Sequence, residues 1–345
     1  MTRAVAFIAA LSVLASACTQ ADAGAPDGGS GSVHTAAPAT ARTPTTSASP
    51  AATSVPAPAT SAAPPTTGPV RATGTTTLPL PGSETARPDD QVAIETVRGV
   101  PVEGGLPLDV FYPEPAGPWP AAMLVHGGGW ISGTKEDLES LAVALARNGI
   151  VVFNAAYSPL DQGGVFPQMF EEVACALATA QETSPGYGGT PAVTLVGFSA
   201  GAHIAAVVAL AGTELGGPCA DRVDGIEGFA GISGPYDSDQ FPFLALQFGG
   251  LRTEVPDAWA AGNPYTYLDA NPDLEALLLH GGDDRIVDPS FSEVFGDALR
   301  DSGHHVTRDA FDGVGHFSIV DMTANGGPTA AAVTGYVWQR FSSGG

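Results

Sequence analysis

Over residues 92–345 the apolar positions fall into two patterns that alternate along the chain. Ala121–Val125, Ile150–Ala155, Val193–Val196, Gly225–Ile232 and Ala276–Leu279 are almost unbroken apolar runs. Such runs mark strands buried on both faces of a parallel sheet. Val92–Val97 and Leu108–Tyr112 open the series, split by the turn-rich Pro101–Pro107, and His305–Phe311 closes it. Between these runs, Leu138–Arg147, Phe166–Gln181, His203–Leu210, Phe291–Arg300 and Thr329–Phe341 have the three-to-four-residue spacing of helices. Asn148-Gly149 stops the first helix, Pro185 and the glycines beyond it stop the second, and Ser290 stands where it would cap the fourth. Strands alternating with helices predict the α/β class: a mostly parallel sheet with helices on both faces and ligands at the carboxyl ends of its strands. The long interval 234–271, between the sixth and seventh strands, carries Phe241, Phe243, Phe248, Trp259, Tyr265 and Tyr267 and reads as a small apolar lid.

Ahead of residue 89 the patterning disappears. Residues 1–17 contain Arg3, an apolar run from Ala4 to Leu14 and then Ala15-Ser16-Ala17, the layout of an export signal. That run is too short to span a bilayer as a permanent anchor. Cys18 follows at once, so the protein is expected either as a lipoprotein anchored through Cys18 or as a soluble product of ordinary cleavage. Residues 18–88 are nearly all Ala, Thr, Pro, Ser and Gly, too poor in large apolar side chains to offset their conformational entropy, and read as a disordered tether. Residues 89–345 suit one large domain with a single core.

Charge narrows the partners. The chain carries 36 acidic residues against 13 Lys and Arg, a formal net charge of −23. Nucleic acids and anionic lipid surfaces need clustered basic residues, so neither is expected to bind directly. Of the three cysteines, Cys175 and Cys219 are free to pair in an oxidising compartment, which leaves Cys18 for a lipid; two buried free thiols are the alternative.

The candidate chemistry gathers at the predicted strand ends. Gly197-Phe198-Ser199-Ala200-Gly201 lies between a strand and a helix, the context in which G-x-S-x-G lifts a serine onto a sharp bend as a nucleophile. His126-Gly127-Gly128-Gly129-Trp130 follows the third strand. Its consecutive glycines let backbone N–H groups turn toward an oxygen that becomes negative during acyl transfer. After the seventh strand, Asp283, Asp284 and Asp288 compete as the acid that orients a histidine. After the last strand, Gly313-Val314-Gly315-His316-Phe317 offers that histidine, in the order serine, acid, histidine. His203 reads as packed beside the serine, His126 as a loop brace, and His304 and His305 as structural. Trp130 and Tyr236 are candidates for the substrate pocket.

HGGGW, YGGTPAVTLVGFSAGAHIAA, LLLHGGDDRIV and GVGHF, in this order, resemble the α/β-hydrolase superfamily over nearly all of 92–345. Within it the chain is most similar to small carboxylesterases with the HGGG loop, the group of hormone-sensitive-lipase-like and feruloyl- or acetyl-esterase-like enzymes. The resemblance implies a triad of Ser199, Asp284 and His316. It implies oxyanion donors at Gly127, Gly128 and Ala200, a Cys175–Cys219 disulfide, and hydrolysis of short-chain or aryl esters with no metal or organic cofactor. One departure is Asp288, which intervenes before Pro289 where the family has proline directly after the valine. A serine peptidase or amidase of the prolyl-oligopeptidase kind shares the residue order and is the rival; a non-catalytic tethered binding protein would not need the whole set.

Overall fold

The computed structural model describes residue 88 and residues 90–223, 225–322 and 326–343. The expected export signal 1–17, Cys18 and the tether up to residue 87 lie outside the described residues. Eight strands form one sheet: β1 (Ile94–Val100), β2 (Leu108–Pro113), β3 (Trp119–Val125), β4 (Val151–Ala155), β5 (Gly189–Phe198), β6 (Ile226–Ile232), β7 (Ala276–Gly281) and β8 (Val306–Phe311). Their order is β1-β2-β4-β3-β5-β6-β7-β8. The pairs β1–β2 and β2–β4 are antiparallel, and every other pair is parallel. The central strand β3 is buried at all its positions, as unbroken apolar runs demand, whereas the edge strand β8 exposes Thr307, Arg308 and Asp309. Charges on an open edge discourage pairing with another chain.

Chain direction then dictates where the helices go. From β3 the chain passes through α1 (Glu139–Arg147) to β4 on one side, then through α2 (Gln168–Thr183) back across to β5 on the other. Right-handed crossovers in opposite directions put α1 and α2 on opposite faces. The step from β5 through α3 (Ala200–Ala211) to β6 repeats the second direction, so α3 packs beside α2. The insertion after β6 holds only two short helices, α4 (Ala245–Phe248) and α5 (Pro256–Ala261), among short 3-10 turns. Helix α6 (Ser290–Asp301) lies between β7 and β8, and the closing helix α7 (Gly326–Ser343) packs with α1. Among the described residues no helix is long and apolar enough to cross a membrane.

Two local expectations change. Ser290 is not a cap but the first residue of α6; the residue before the helix is Pro289, and the Asp288 side chain accepts the Ser290 N–H at 3.0 Å. Proline fits that place because it has no N–H to leave unpaired. The elbow strand also runs longer than its apolar stretch, starting at Gly189, where pairing with Trp119 precedes an irregularity in register. Cys175 on α2 is bonded to Cys219 in the loop after α3, with an S–S length of 2.02 Å and Cα atoms 5.0 Å apart.

Parallel register sets the strand ends side by side. Val125 pairs with Gly197, Gly197 with Gly231, and Gly231 with Leu278. The segments that follow β3, β5, β6, β7 and β8 therefore leave the sheet along one edge.

Candidate active site

The bend at Ser199 is built by what its neighbours lack. A Cβ on Gly197 would strike the Gly201 carbonyl oxygen, and one on Gly201 would strike the carbonyl oxygens of Val125 and His126. Only glycine lets β5 turn into α3 while α3 presses against the end of β3. Ser199 itself adopts φ 53° and ψ −124°, a strained conformation for a non-glycine residue. Its N–H donates to the Ile232 carbonyl at 2.8 Å, which ties the bend to β6.

The imidazole of His316 meets Ser199 from the other side of the sheet edge. His316 Nε2 lies 2.9 Å from Ser199 Oγ, and Nδ1 lies 2.6 Å from Asp284 Oδ2. Nδ1–H must donate to the carboxylate, so Nε2 is left to accept the hydroxyl proton. All three residues are buried, at 7% exposure or less. Asp284 is held by donors on every side. Oδ1 accepts the N–H groups of Ile286 and Val287, each at 2.9 Å, while Oδ2 accepts from His316 and lies 3.4 Å from His280 Nε2. Burial alone would raise the Asp284 carboxyl; hydrogen bonds from His280 and His316 outweigh it and hold the group well below the usual carboxylate range. Asp283 and Asp288, the competing acids, are exposed. Asp288 accepts the Ser290 N–H, and Asp283 uses its backbone N–H on the Val314 carbonyl.

The glycine turn runs along the nucleophile. A Cβ on Gly127 would come within 3.0 Å of Ser199 Cβ. Gly128 has φ 116°, and a side chain there would collide with the Ser132 carbonyl. His126 Nδ1–H donates to the Gly127 carbonyl at 2.8 Å and the Tyr157 hydroxyl donates to the same oxygen at 3.3 Å. In a planar trans peptide the C=O and the following N–H point opposite ways, so fixing this carbonyl fixes the direction of the Gly128 N–H. His126 is stacked on Tyr157 at 4.2 Å, and burial pushes its imidazole down, which keeps the ring neutral. The third expected donor, Ala200 N–H, opens α3, where first-turn N–H groups have no partner within the helix.

The pocket residues fall differently. Tyr236 has no exposure and is stacked on Phe295 at 4.2 Å, edge-on to Phe229; it fills the core and does not line an open pocket. Trp130 is only 2% exposed and packs on Phe241 and Phe243. The more open aromatic rings of this region are Phe243, Phe291 and Phe317, the last 51% exposed beside His316. His203 is packed under Trp130, and His304 is held between the carbonyls of Leu268 and Leu274. Several contributors carry no sequence signal of their own. Tyr157 braces the glycine turn from the segment after β4, Ser292 lies 2.7 Å from His280 Nδ1, and Ser233 just after β6 has φ 49°.

The BD-FAE family profile matches residues 108–299. The chain is 30% identical over 231 residues to a probable isoprenylcysteine alpha-carbonyl methylesterase of Oryza sativa subsp. japonica, a match covering 61% of this chain and 55% of that protein. It is 26% identical over 252 residues to a kynurenine formamidase of Danio rerio, covering 70% of this chain and 80% of that one. The chain spans about half the length of the first curated relatives it matches. In structure it is similar to brefeldin A esterase, a bacterial homologue of human hormone-sensitive lipase, with TM-score 0.59, 20% identity, and coverage of 73% of this chain and 79% of that one.

Proposed function

Since the chain belongs to the BD-FAE family and has the α/β-hydrolase fold, we propose that it is a serine carboxylesterase acting on short-chain or aryl esters. The observation that carries the reading is the hydrogen-bonded line Ser199–His316–Asp284 beside a glycine turn. In this reading His316 Nε2 takes the Ser199 proton as Oγ attacks the ester carbonyl, and Asp284 steadies the imidazolium that results. The oxygen that becomes negative is received by the N–H groups of Gly127, Gly128 and Ala200. His316 then returns its proton to the departing alcohol, and a water molecule releases the acid from the acyl-enzyme by the same steps. Phe243, Phe291 and Phe317 offer apolar surface for the acyl or aryl group, and a net charge of −23 disfavours anionic esters.

The test is direct. Wild type is expected to turn over p-nitrophenyl acetate and to be labelled by a fluorophosphonate on Ser199, and Ser199→Ala to lose both while melting as wild type does. A wild type that the probe leaves unlabelled ends the reading. A second reading, hydrolysis of a small amide, draws on the likeness to the formamidase; a kcat/KM on formyl anilides above that on acetate esters would favour it. Outside the described residues, the leader and Cys18 support export with a lipid on Cys18, and the Cys175–Cys219 bond suits an oxidising compartment. Mass spectrometry of the mature N-terminus separates an acylated Cys18 from a plainly cleaved product.

A further inference from the structure

Trp130 closes the glycine turn with φ 61°, the third left-handed residue in a row after Gly128 at 116° and Gly129 at 62°. For a bulky side chain this is an outlier that persists only where the surroundings hold it. The Trp130 carbonyl accepts the Leu160 N–H at 2.9 Å. Its ring packs on Phe241 and Phe243, contacts that resist exposure but have little directional preference. Direction comes from one bond: the indole N–H donates to His203 Nδ1 at 3.3 Å, the two rings meeting edge-on at 85°.

His203 stands four residues beyond Ser199, in the first turn of α3, and its N–H donates to the Ser199 carbonyl at 3.3 Å. It has no exposure, lies edge-on to Phe170 of α2, and its Nε2 is buried with only the Gly262 backbone acting on it. Nδ1 accepts a hydrogen bond only in the neutral ring with its proton on Nε2. Burial pushes this imidazole down to about 3 against an opposing pull from the Gly262 backbone, so the neutral form prevails at any working pH. A leucine or phenylalanine would fill the same space without burying a polar ring, whose desolvation costs stability. The imidazole is explained by what its other nitrogen holds.

We propose that His203 is a positioning residue: its Nδ1 anchors the Trp130 indole and thereby holds the turn 127–130 in register with Ser199. This rests on the esterase reading above. Displacing the oxyanion donors without removing them lowers the rate of the acyl step and leaves substrate binding largely intact, by about 10–100-fold in kcat.

The test compares His203→Leu, His203→Asn, Trp130→Phe and the double variant His203→Leu/Trp130→Phe on p-nitrophenyl acetate, with melting temperatures and the indole N–H resonance of Trp130. Asn places Oδ1 near the position of Nδ1 and is expected to keep most of kcat. His203→Leu and Trp130→Phe are each expected to lose kcat at nearly constant KM, with no further loss in the double variant. In His203→Leu the Trp130 indole resonance is expected to move upfield. Trp130→Phe keeps an aromatic side chain in the packed site and removes the indole N–H, so it decides the matter if His203→Leu does not fold. Unchanged kcat in Trp130→Phe, additive losses, a loss in KM alone, or an unmoved indole resonance overturns the proposal. A wild type inert to both the ester and the fluorophosphonate removes the esterase reading itself; an active wild type with unaffected variants removes only the role of His203.

Discussion

Replacing Asp284 by asparagine is a nearly isosteric change whose outcome the surrounding donors dictate. Oδ1 receives two backbone N–H groups, from Ile286 and Val287, so that atom must remain an oxygen. The new amide nitrogen is then forced into the Oδ2 position, where it faces His316 Nδ1 and His280 Nε2. Two donors cannot share the 2.6 Å gap to His316. His316 must move its proton to Nε2 so that Nδ1 accepts from the amide, and Nε2 then no longer accepts from Ser199. A triad locked in the wrong tautomer loses about 10⁴ in kcat, or about 5 kcal/mol of transition-state stabilisation. KM should hold, because the carboxylate is buried behind His316 and touches no substrate. Steady-state turnover of p-nitrophenyl acetate reads the first effect and the rate of fluorophosphonate labelling reads the loss of nucleophilicity. Asp283→Asn is the control: that side chain is exposed, and kcat should stay within about twofold. If Asp284→Asn stays within about tenfold of wild type, or Asp283→Asn falls as far, the assignment of the acid is wrong.

Three further outcomes are expected. Because the folded-state pKa of Asp284 lies below its ordinary 3.8, the unfolded chain binds more protons beneath about pH 4; the resulting stability is complete above that value and lost as pH falls through the folded pKa, so melting temperatures between pH 7 and pH 3 should drop less in Asp284→Asn than in wild type. Opening the Cys175–Cys219 bond, 44 residues apart in sequence, releases a loop whose closure entropy is worth up to about 4 kcal/mol; the double alanine variant should melt about 8–16 °C lower with kcat nearly unchanged, and a drop of under about 3 °C would argue that the unfolded chain is not restrained by it. Gly201→Ala drives a Cβ into the carbonyl oxygens of Val125 and His126, which belong to the central strand and its continuation and cannot move aside; a loss of about 3 kcal/mol or more is expected in chemical denaturation, and a variant as stable as wild type would contradict the close approach.

What could be read from the chain follows from how local each feature is. Ser199 was legible because strand, glycines and helix all lie within a few residues of it, and the order of strands and helices followed from the same short-range patterning. Asp284 was not separable from Asp283 and Asp288 by local rules; the family spacing points to it, and the structure adds the reason, since only Asp284 is turned inward onto two histidines. Tyr157 could not be read at all. It reaches Gly127 across 30 residues only because β4 is laid beside β3, a fact of topology. Tyr236 misled because a tyrosine after Gly234-Pro235 looks like loop chemistry, while the fold folds its ring under α6 against Phe295. Ser290 misled by one position, since the helix begins at Ser290 itself and Pro289 holds the place before it.

Trp130, Ser199 and Ser233 are the non-glycine residues with positive φ among those described, and they lie in the segments that follow the neighbouring strands β3, β5 and β6. Selection on heat resistance alone would therefore drift toward glycine at Ser199 and Ser233, whose side chains are small, because each exchange releases a backbone conformation that other amino acids resist, whereas the packed ring of Trp130 holds its place. At 199 that drift erases the hydroxyl. Thermal hardening and turnover are thus set against each other at a single rim of the molecule, and a robust, fully active variant has to be sought away from it, in the helices that cover the two faces of the sheet.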